Sequence, residues 1–201
     1  MAITCPRRLP MLALVSLLLA VGGCGGVGTI AFDSPATQAS GTAAATLGSP
    51  AFADGQPIPA RHSAYADDVS LPLSWVPVDG AVSYALLMED PDADRPEPYV
   101  HWVAWNIPAG ATALPEGLAA DARLADPAGM RQGLNDRGTV GYFGPRPPEG
   151  SGLHHYQLQL FALDATLELA DDADRAALVD AMRGHVLAKA KLVGTYAAPG
   201  G

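Results

Sequence analysis

Two stretches of the chain alternate with a period of two. From Val82 to Asp90, Val82, Tyr84, Leu86, Met88 and Asp90 share one face, and Ser83, Ala85, Leu87 and Glu89 share the other. That predicts a strand whose core face carries the larger apolar side chains and ends at Asp90. In HHYQLQLFAL, from His154, residues His154, Tyr156, Leu158 and Leu160 lie together, opposite His155, Gln157, Gln159 and Phe161. A strand with His154 and Tyr156 inward and His155 outward follows. Between them, YVHWVAWNIP, Tyr99 to Pro108, is apolar on both faces, as a strand covered on both sides would be. Strict alternation puts Tyr99, His101, Val103, Trp105 and Ile107 on one side of it.

The period changes in the last third. DDADRAALVDAMRGHVLAKAKL places Leu178, Met182, Val186 and Ala190 at i, i+4 spacing, which predicts helix. Asp171 or Asp172 is the expected N-cap, Lys189 and Lys191 suit a C-terminal turn, and Gly184 divides the run into two short helices. Strands followed by short C-terminal helices predict a mainly β protein, an antiparallel β-sandwich with helices at its edge.

Chemistry gathers at the strand ends. Asp90 closes one inward face, while His154 and Tyr156 open another. If the two strands are antiparallel neighbours, or face each other across a sandwich, the three side chains meet. His101, near the start of the third strand, would join them. Each residue also has an ordinary reading. Asp-Pro-Asp is a common turn former, a lone histidine on a covered strand is usually a satisfied core residue, and Trp75, Trp102 and Trp105 read as core.

Upstream, Arg7 and Arg8 precede an apolar run, Met11 to Val21, of signal-peptide length. It ends in VGGC, which resembles a bacterial lipobox with Cys24 as the lipidated residue. Gly25 in place of Asp favours, by the same resemblance, the outer membrane. Ordinary secretion into the periplasm or beyond is the alternative. Residues 1–23 are then a signal peptide, 24–46 a flexible tether of small residues, 47–196 the domain and 197–201 a disordered tail. With Cys5 and Cys24 the only cysteines, the domain would have no disulfide and no cysteine zinc site.

Composition fits one such domain. The 201 residues are 49% hydrophobic, enough for a core, and 22 glycines and 18 prolines suit a loop-rich β protein. With 21 Asp and Glu against 12 Lys and Arg and no basic stripe, nucleic acid is excluded as a partner.

Three stretches together are similar to the phosphatidylethanolamine-binding protein family, in its bacterial Raf-kinase-inhibitor-like branch. They are SLPLSWVPVDGAVSYALLMEDPDA (Ser70 to Ala93), HWVAWNIP (His101 to Pro108) and GYFGPRPPEGSGLHHYQLQLFAL (Gly141 to Leu163). GHVLAKAKLVGTY, Gly184 to Tyr196, also matches. The resemblance implies a β-sandwich with a small anion pocket at one end, for phosphate-like or phosphorylated head-group ligands. It assigns the walls to Asp90, His101, His154 and Tyr156, and the rim to Pro91, Tyr99, Gly144, Pro145 and Pro147. Asp90 would fix one imidazole by accepting from it, leaving the other ring nitrogen as a donor to the anion. Asp94 stands where the family often has proline and adds negative charge at the mouth. No metal or other cofactor is expected, and no Gly-x-Ser-x-Gly or His-Glu-x-x-His motif suggests an enzyme. The expected partners are a small anionic ligand, the membrane through the lipid anchor, and a second copy of the chain as a homodimer. The alternative functions are inhibition of a periplasmic protease or other envelope protein, and weak phosphoester hydrolysis.

Overall fold

The computed structural model describes Met1 and residues 30–41 and 45–200. The remainder of the signal-like segment, Cys24, and residues 25–29 and 42–44 lie outside them. Seven strands form: β1 (Leu73–Ser74), β2 (Ser83–Asp90), β3 (Tyr99–Pro108), β4 (Ala113–Leu114), β5 (Arg131–Gln132), β6 (Leu153–Leu163) and β7 (Val186–Ala197). One sheet runs β5-β3-β2-β6-β7, with every pairing antiparallel. β1 and β4 make a second, two-stranded sheet, also antiparallel. The mainly β, antiparallel expectation holds.

β2 is central and buried along its whole length. Its alternation therefore separates two cores rather than core from solvent. Tyr84, Leu86 and Met88 pack on the front face with Trp102, Tyr156, Leu158 and Leu160, under Leu73 and Leu114 of the small sheet. Ala85 and Leu87 pack on the back face with Val103, Trp105 and Phe161, under Leu178 and Val179. Each buried Leu or Phe contributes roughly 2 kcal/mol of apolar transfer free energy, so both layers are needed to hold the sheet.

β3 departs from strict alternation. Its pairing with β2 slips between Met88 and Glu89, and again between Tyr84 and Leu86. The extra residues are β-bulges, which rotate the side chains beyond them. Trp102, Ala104 and Ile107 join the front core, whereas Val103 and Trp105 join the back core. His101 thus does not share a face with Val103 and Trp105. Asn106, at φ 52°, marks the second slip, and its side-chain amide gives to Leu167 O at 3.0 Å and receives from Leu167 N at 2.8 Å. These two bonds offset a backbone conformation that a non-glycine residue avoids.

The C-terminal third holds one helix, α1 (Arg175–Ala181), not two. Asp174 caps it, accepting from Ala177 N at 2.9 Å, in place of Asp171 or Asp172. Gly184 has φ +81° and ends the helical path. Strand β7 begins two residues later, with Val186, Ala188, Ala190, Leu192 and Tyr196 buried and Lys191 exposed. The i, i+4 spacing from Leu178 to Ala190 coincides with a period-two pattern from Val186 onward. The β6 partner, paired along the length of β7, selects the strand.

The tether also differs from expectation. Residues 30–41 lie on the back face, where Ala31 and Ala36 belong to the core. Ser40 N and Gly41 N give to Val186 O and Leu187 O at 2.8 and 3.0 Å, at the start of β7. Ala31 N gives to Glu89 Oε2 at 3.2 Å. Small side chains, which read as linker, are what let this segment lie close to the sheet. At the other end, Ala197 is still in β7 and Ala198 is buried.

Glu89 is fully buried and also receives Gln159 Nε2 and Arg175 Nε. It joins β2, β6, α1 and the 30–41 segment. Glu89→Ala removes the acceptor that these groups share and is expected to lower stability by about 3 kcal/mol, as read by urea unfolding. A change below about 0.5 kcal/mol, the scale of an ordinary surface substitution, would show that the junction is dispensable.

Candidate functional site

Beyond the front core, at the end of β2, lies a cavity of about 370 Å³. Asp90, His101 and His154 line it, with Tyr99, Phe143 and Pro147, and Arg95 and Arg146 add two guanidinium groups. The antiparallel register sets Glu89 across from Gln157, so Asp90 reaches the start of β6. The bulge in β3 brings His101 to the same end.

Asp90 uses both oxygens. Oδ1 receives Asp92 N at 2.9 Å, and Oδ2 meets His154 Nδ1 at 2.7 Å, with both side chains about 5% exposed or less. Asp92 Oδ2 in turn receives His155 N and meets His155 Nδ1, each at 2.8 Å. The Asp-Pro-Asp turn is therefore both an ordinary local turn and the clamp that fixes the first residues of β6.

The far nitrogen of His154 is also engaged: Nε2 lies 2.9 Å from Ser151 Oγ. Ser151 Oγ gives its single proton to Pro148 O at 2.7 Å. Toward Nε2 the hydroxyl must then accept, so Nε2 carries a proton. Aspartate, histidine and serine stand in the order of a hydrolase triad, yet the protons run the wrong way, because Nε2 has no lone pair to take the serine proton. A second proton lies in the 2.7 Å contact between Nδ1 and Asp90. The Asp90–His154–Ser151 set is hydrogen-bonded throughout.

His101 is arranged differently. Nδ1 gives to Phe143 O at 2.7 Å. Its ring stacks on Phe143 (centroids 5.5 Å, 3°) and stands edge-on to Tyr156 at 5.1 Å. Arg137 sits over the other ring of that stack, 4.9 Å from the Phe143 centroid. Burial pulls the His101 pKa below the ordinary histidine value of 6.5; the Phe143 bond and the charges of Asp90, Asp136 and Asp68 oppose this without reversing it. The neutral ring then holds its proton on Nδ1, and Nε2 is a lone-pair acceptor with no protein partner among the described residues. The expectation that this histidine gives a hydrogen bond to an anion is corrected on this point.

Tyr156 lies behind these walls, fully buried, and its hydroxyl makes no well-aligned hydrogen bond among the described residues but stands within reach of the Asp90 carboxylate and the Arg146 backbone. Burial first, and then the neighbouring Asp90 carboxylate, hold its pKa far above the ordinary phenol range, so it keeps its proton. Of the expected rim, Tyr99 and Pro147 line the cavity, whereas Pro91, Gly144 and Pro145 do not. Gly144 N gives to Asp68 Oδ1 at 2.6 Å, and a Cβ at this position would stand 2.2 Å from His62 O. No larger residue fits without moving the loop. Pro145 O receives Ala64 N at 3.1 Å. Phe143, Arg146 and Pro148, in the same glycine–proline stretch, and Arg95 were not anticipated. Their adjacency to the motifs was the signal that could have found them.

Residues 48–197 match the phosphatidylethanolamine-binding protein family, and the chain belongs to it. A UPF0098 protein of Methanothermobacter thermautotrophicus is 46% identical over 147 residues, covering 73% of this chain and 94% of that protein. A Mycobacterium tuberculosis protein whose name calls it a lipoprotein, LppC, is 38% identical over 193 residues, 90% of this chain and 92% of its own. Among solved structures, the family homologue CT736 of Chlamydia trachomatis aligns with a TM-score of 0.69 at 34% identity, covering 77% of this chain and 98% of that one. YbcL of E. coli, a family member, aligns at 0.71 and 29%, covering 78% and 99%.

Two outcomes are expected from the hydrogen bonding. Two-bond ¹H–¹⁵N spectra should show His101 protonated on Nδ1 alone at neutral pH, and a proton on Nε2 of His154. The Nε2–H form at His101 would contradict the assignment. Because the His101 pKa is lower folded than unfolded, its stabilising contribution is present above the unfolded value, 6.5, and is lost as pH falls from there through the folded value. Unfolding free energy should therefore drop with acid below that point, and His101→Gln should flatten the slope. An unchanged slope in the variant would remove His101 as its source.

Proposed function

We propose that this protein is a binding protein whose cavity takes a small anionic, phosphate-like group, free or on a phosphorylated head group, and that it is held at the cell envelope by a lipid on Cys24. The observation that carries the first part is a cavity at the end of β2 that Arg95 and Arg146 line together with Asp90, His101 and His154. Arg95 and Arg146 at the same cavity supply positive charge in a chain of net charge −9. A volume of about 370 Å³ is near the lower end for small-molecule sites and suits a head group rather than whole acyl chains. The family's own name refers to a phosphorylated head group.

Binding is preferred to turnover because the proton of Ser151 points to Pro148 and not to His154. The envelope reading is supported by VGGC and by the lipoprotein name of the mycobacterial relative, whose similarity covers 90% of this chain. Asp90, His101, His154 and Tyr156 are the proposed walls of the ligand site, with His101 offering the unpartnered ring nitrogen.

Titration with phosphate or phosphoethanolamine, followed by the histidine ring signals, should give saturable shifts. His101→Ala should weaken binding by about tenfold or more, the loss expected for a hydrogen bond to a charged group. Absence of any shift at millimolar ligand would refute the anion site. Metabolic labelling with a palmitate analogue should mark the wild type and not Cys24→Ala; an unlabelled wild type would refute the anchor.

A further inference from the structure

The hydrogen-bonding state of the cavity says more than that it takes anions. Three groups compete to set what the anion must offer. His154 is committed on both ring nitrogens, to Asp90 and to Ser151. Tyr156 keeps its proton behind the wall, next to Asp90. His101 presents an acceptor, since its one proton is given to Phe143 O.

An acceptor facing a fully deprotonated anion repels it, and both lone pairs lose solvent for nothing. The same acceptor binds well if the ligand brings a hydroxyl. We infer that the cavity selects anions that carry a proton, a phosphate group in its monoanionic form, over proton-free anions of the same shape and charge, and that His101 is the residue that reads the proton. This rests on the anion reading above and narrows it.

The surroundings favour the same choice. On β2, Asp90 faces His101, and its charge is shared with a proton of His154. On β6, Tyr156 stands edge-on to the ring, and on β3 Tyr99 is 5.0 Å away. From the loops, Asp136 and Asp68 act at longer range. Arg95 is within 2.7 Å of Asp136, which spends much of its charge, and Asp94 in the wall opposes Arg146. Arg137, 4.9 Å from the Phe143 centroid, adds a further positive charge, so the charges around the ring are of both signs. Desolvation keeps His101 itself from supplying the missing proton at neutral pH.

Methyl phosphate and methyl sulfate separate the possibilities. Near pH 5.5 each is a monoanion of one shape, but only the phosphate carries a hydroxyl. Both are titrated into the full-length chain in mild detergent at fixed ionic strength, by calorimetry and by the histidine signals. Methyl phosphate should bind at least roughly tenfold more tightly than methyl sulfate. With a second phosphate pKa of about 6, the monoanion fraction falls about twenty-fold between about pH 5.5 and about pH 7.5, and affinity for methyl phosphate should fall with it. Methyl sulfate should bind weakly at both. In His101→Gln, whose amide offers donors as well as an acceptor, the preference should shrink toward unity. Should that variant fail to fold, the two ligands on the wild type still decide.

Equal binding of the two ligands would overturn the inference and leave the anion site standing. So would methyl phosphate binding that is flat or stronger at the higher pH. Methyl sulfate binding that rises with acid in parallel with methyl phosphate would mean that His101 takes up the proton itself, which also overturns it. No binding of either ligand up to millimolar concentration would refute the anion site along with the inference.

Discussion

The contact between Asp90 and His154, 2.7 Å long and almost wholly buried, fixes where everything near the cavity can be. It joins the last residue of the central strand to the second residue of β6. It also sets the adjoining turn, since the other oxygen of Asp90 holds Asp92 N. Charges are placed in a protein interior only where partners repay the loss of water. Here the partners are supplied by strand order: β2 and β6 must be antiparallel neighbours for the side chains to meet. The residue before Asp90 does the same on the opposite face, where Glu89 gathers Gln159, Arg175 and the backbone of Ala31. Two consecutive carboxylates, on opposite faces by the period of a strand, anchor the front and the back of the molecule.

Much of this was legible in the residues. Alternation placed β2 and β6 and turned His154 and Tyr156 inward, because a two-residue period survives in any strand with one large apolar face. The apolar run of β3 was also plain. Its bulges were not, since an extra residue in a strand buried on both faces leaves no polar marker, and strict alternation then misplaced Val103 and Trp105. At the C-terminus, Leu178, Met182, Val186 and Ala190 satisfy a helical spacing by coincidence. The alternation from Val186 to Tyr196 was readable, but only the presence of β6 as a partner decides between the two. The 30–41 segment failed for a different reason. Small residues serve both flexible linkers and close packing, and composition does not separate these uses. Glu89 had no signal at all, being one acid beside another.

Within the cavity, sequence identified the residue types better than their roles. Asp90, His101, His154 and Tyr156 were picked as one set of ligand contacts. The structure divides them. Asp90 and His154 belong to a closed set in which each proton and each lone pair toward Ser151 and Asp92 is spoken for. His101 holds the open valence, an acceptor, and Tyr156 stands behind it as a protonated phenol near Asp90. No spacing rule predicts this, because which nitrogen of His101 is free depends on a carbonyl 42 residues away.

That division bears on how loss of binding is to be interpreted. Removing His154 strands Asp90 in a dry environment, so the sheet end, the turn and the cavity wall all lose a support at once. A weakened ligand in such a variant reports stability as much as contact. Replacing His101 leaves the Asp90–His154 pair intact while removing the acceptor proposed to read the ligand. Stability therefore resides in the closed pair and selectivity in the open acceptor. The two are separable because the bulge in β3 lets His101 reach the cavity from a strand that does not carry the pair.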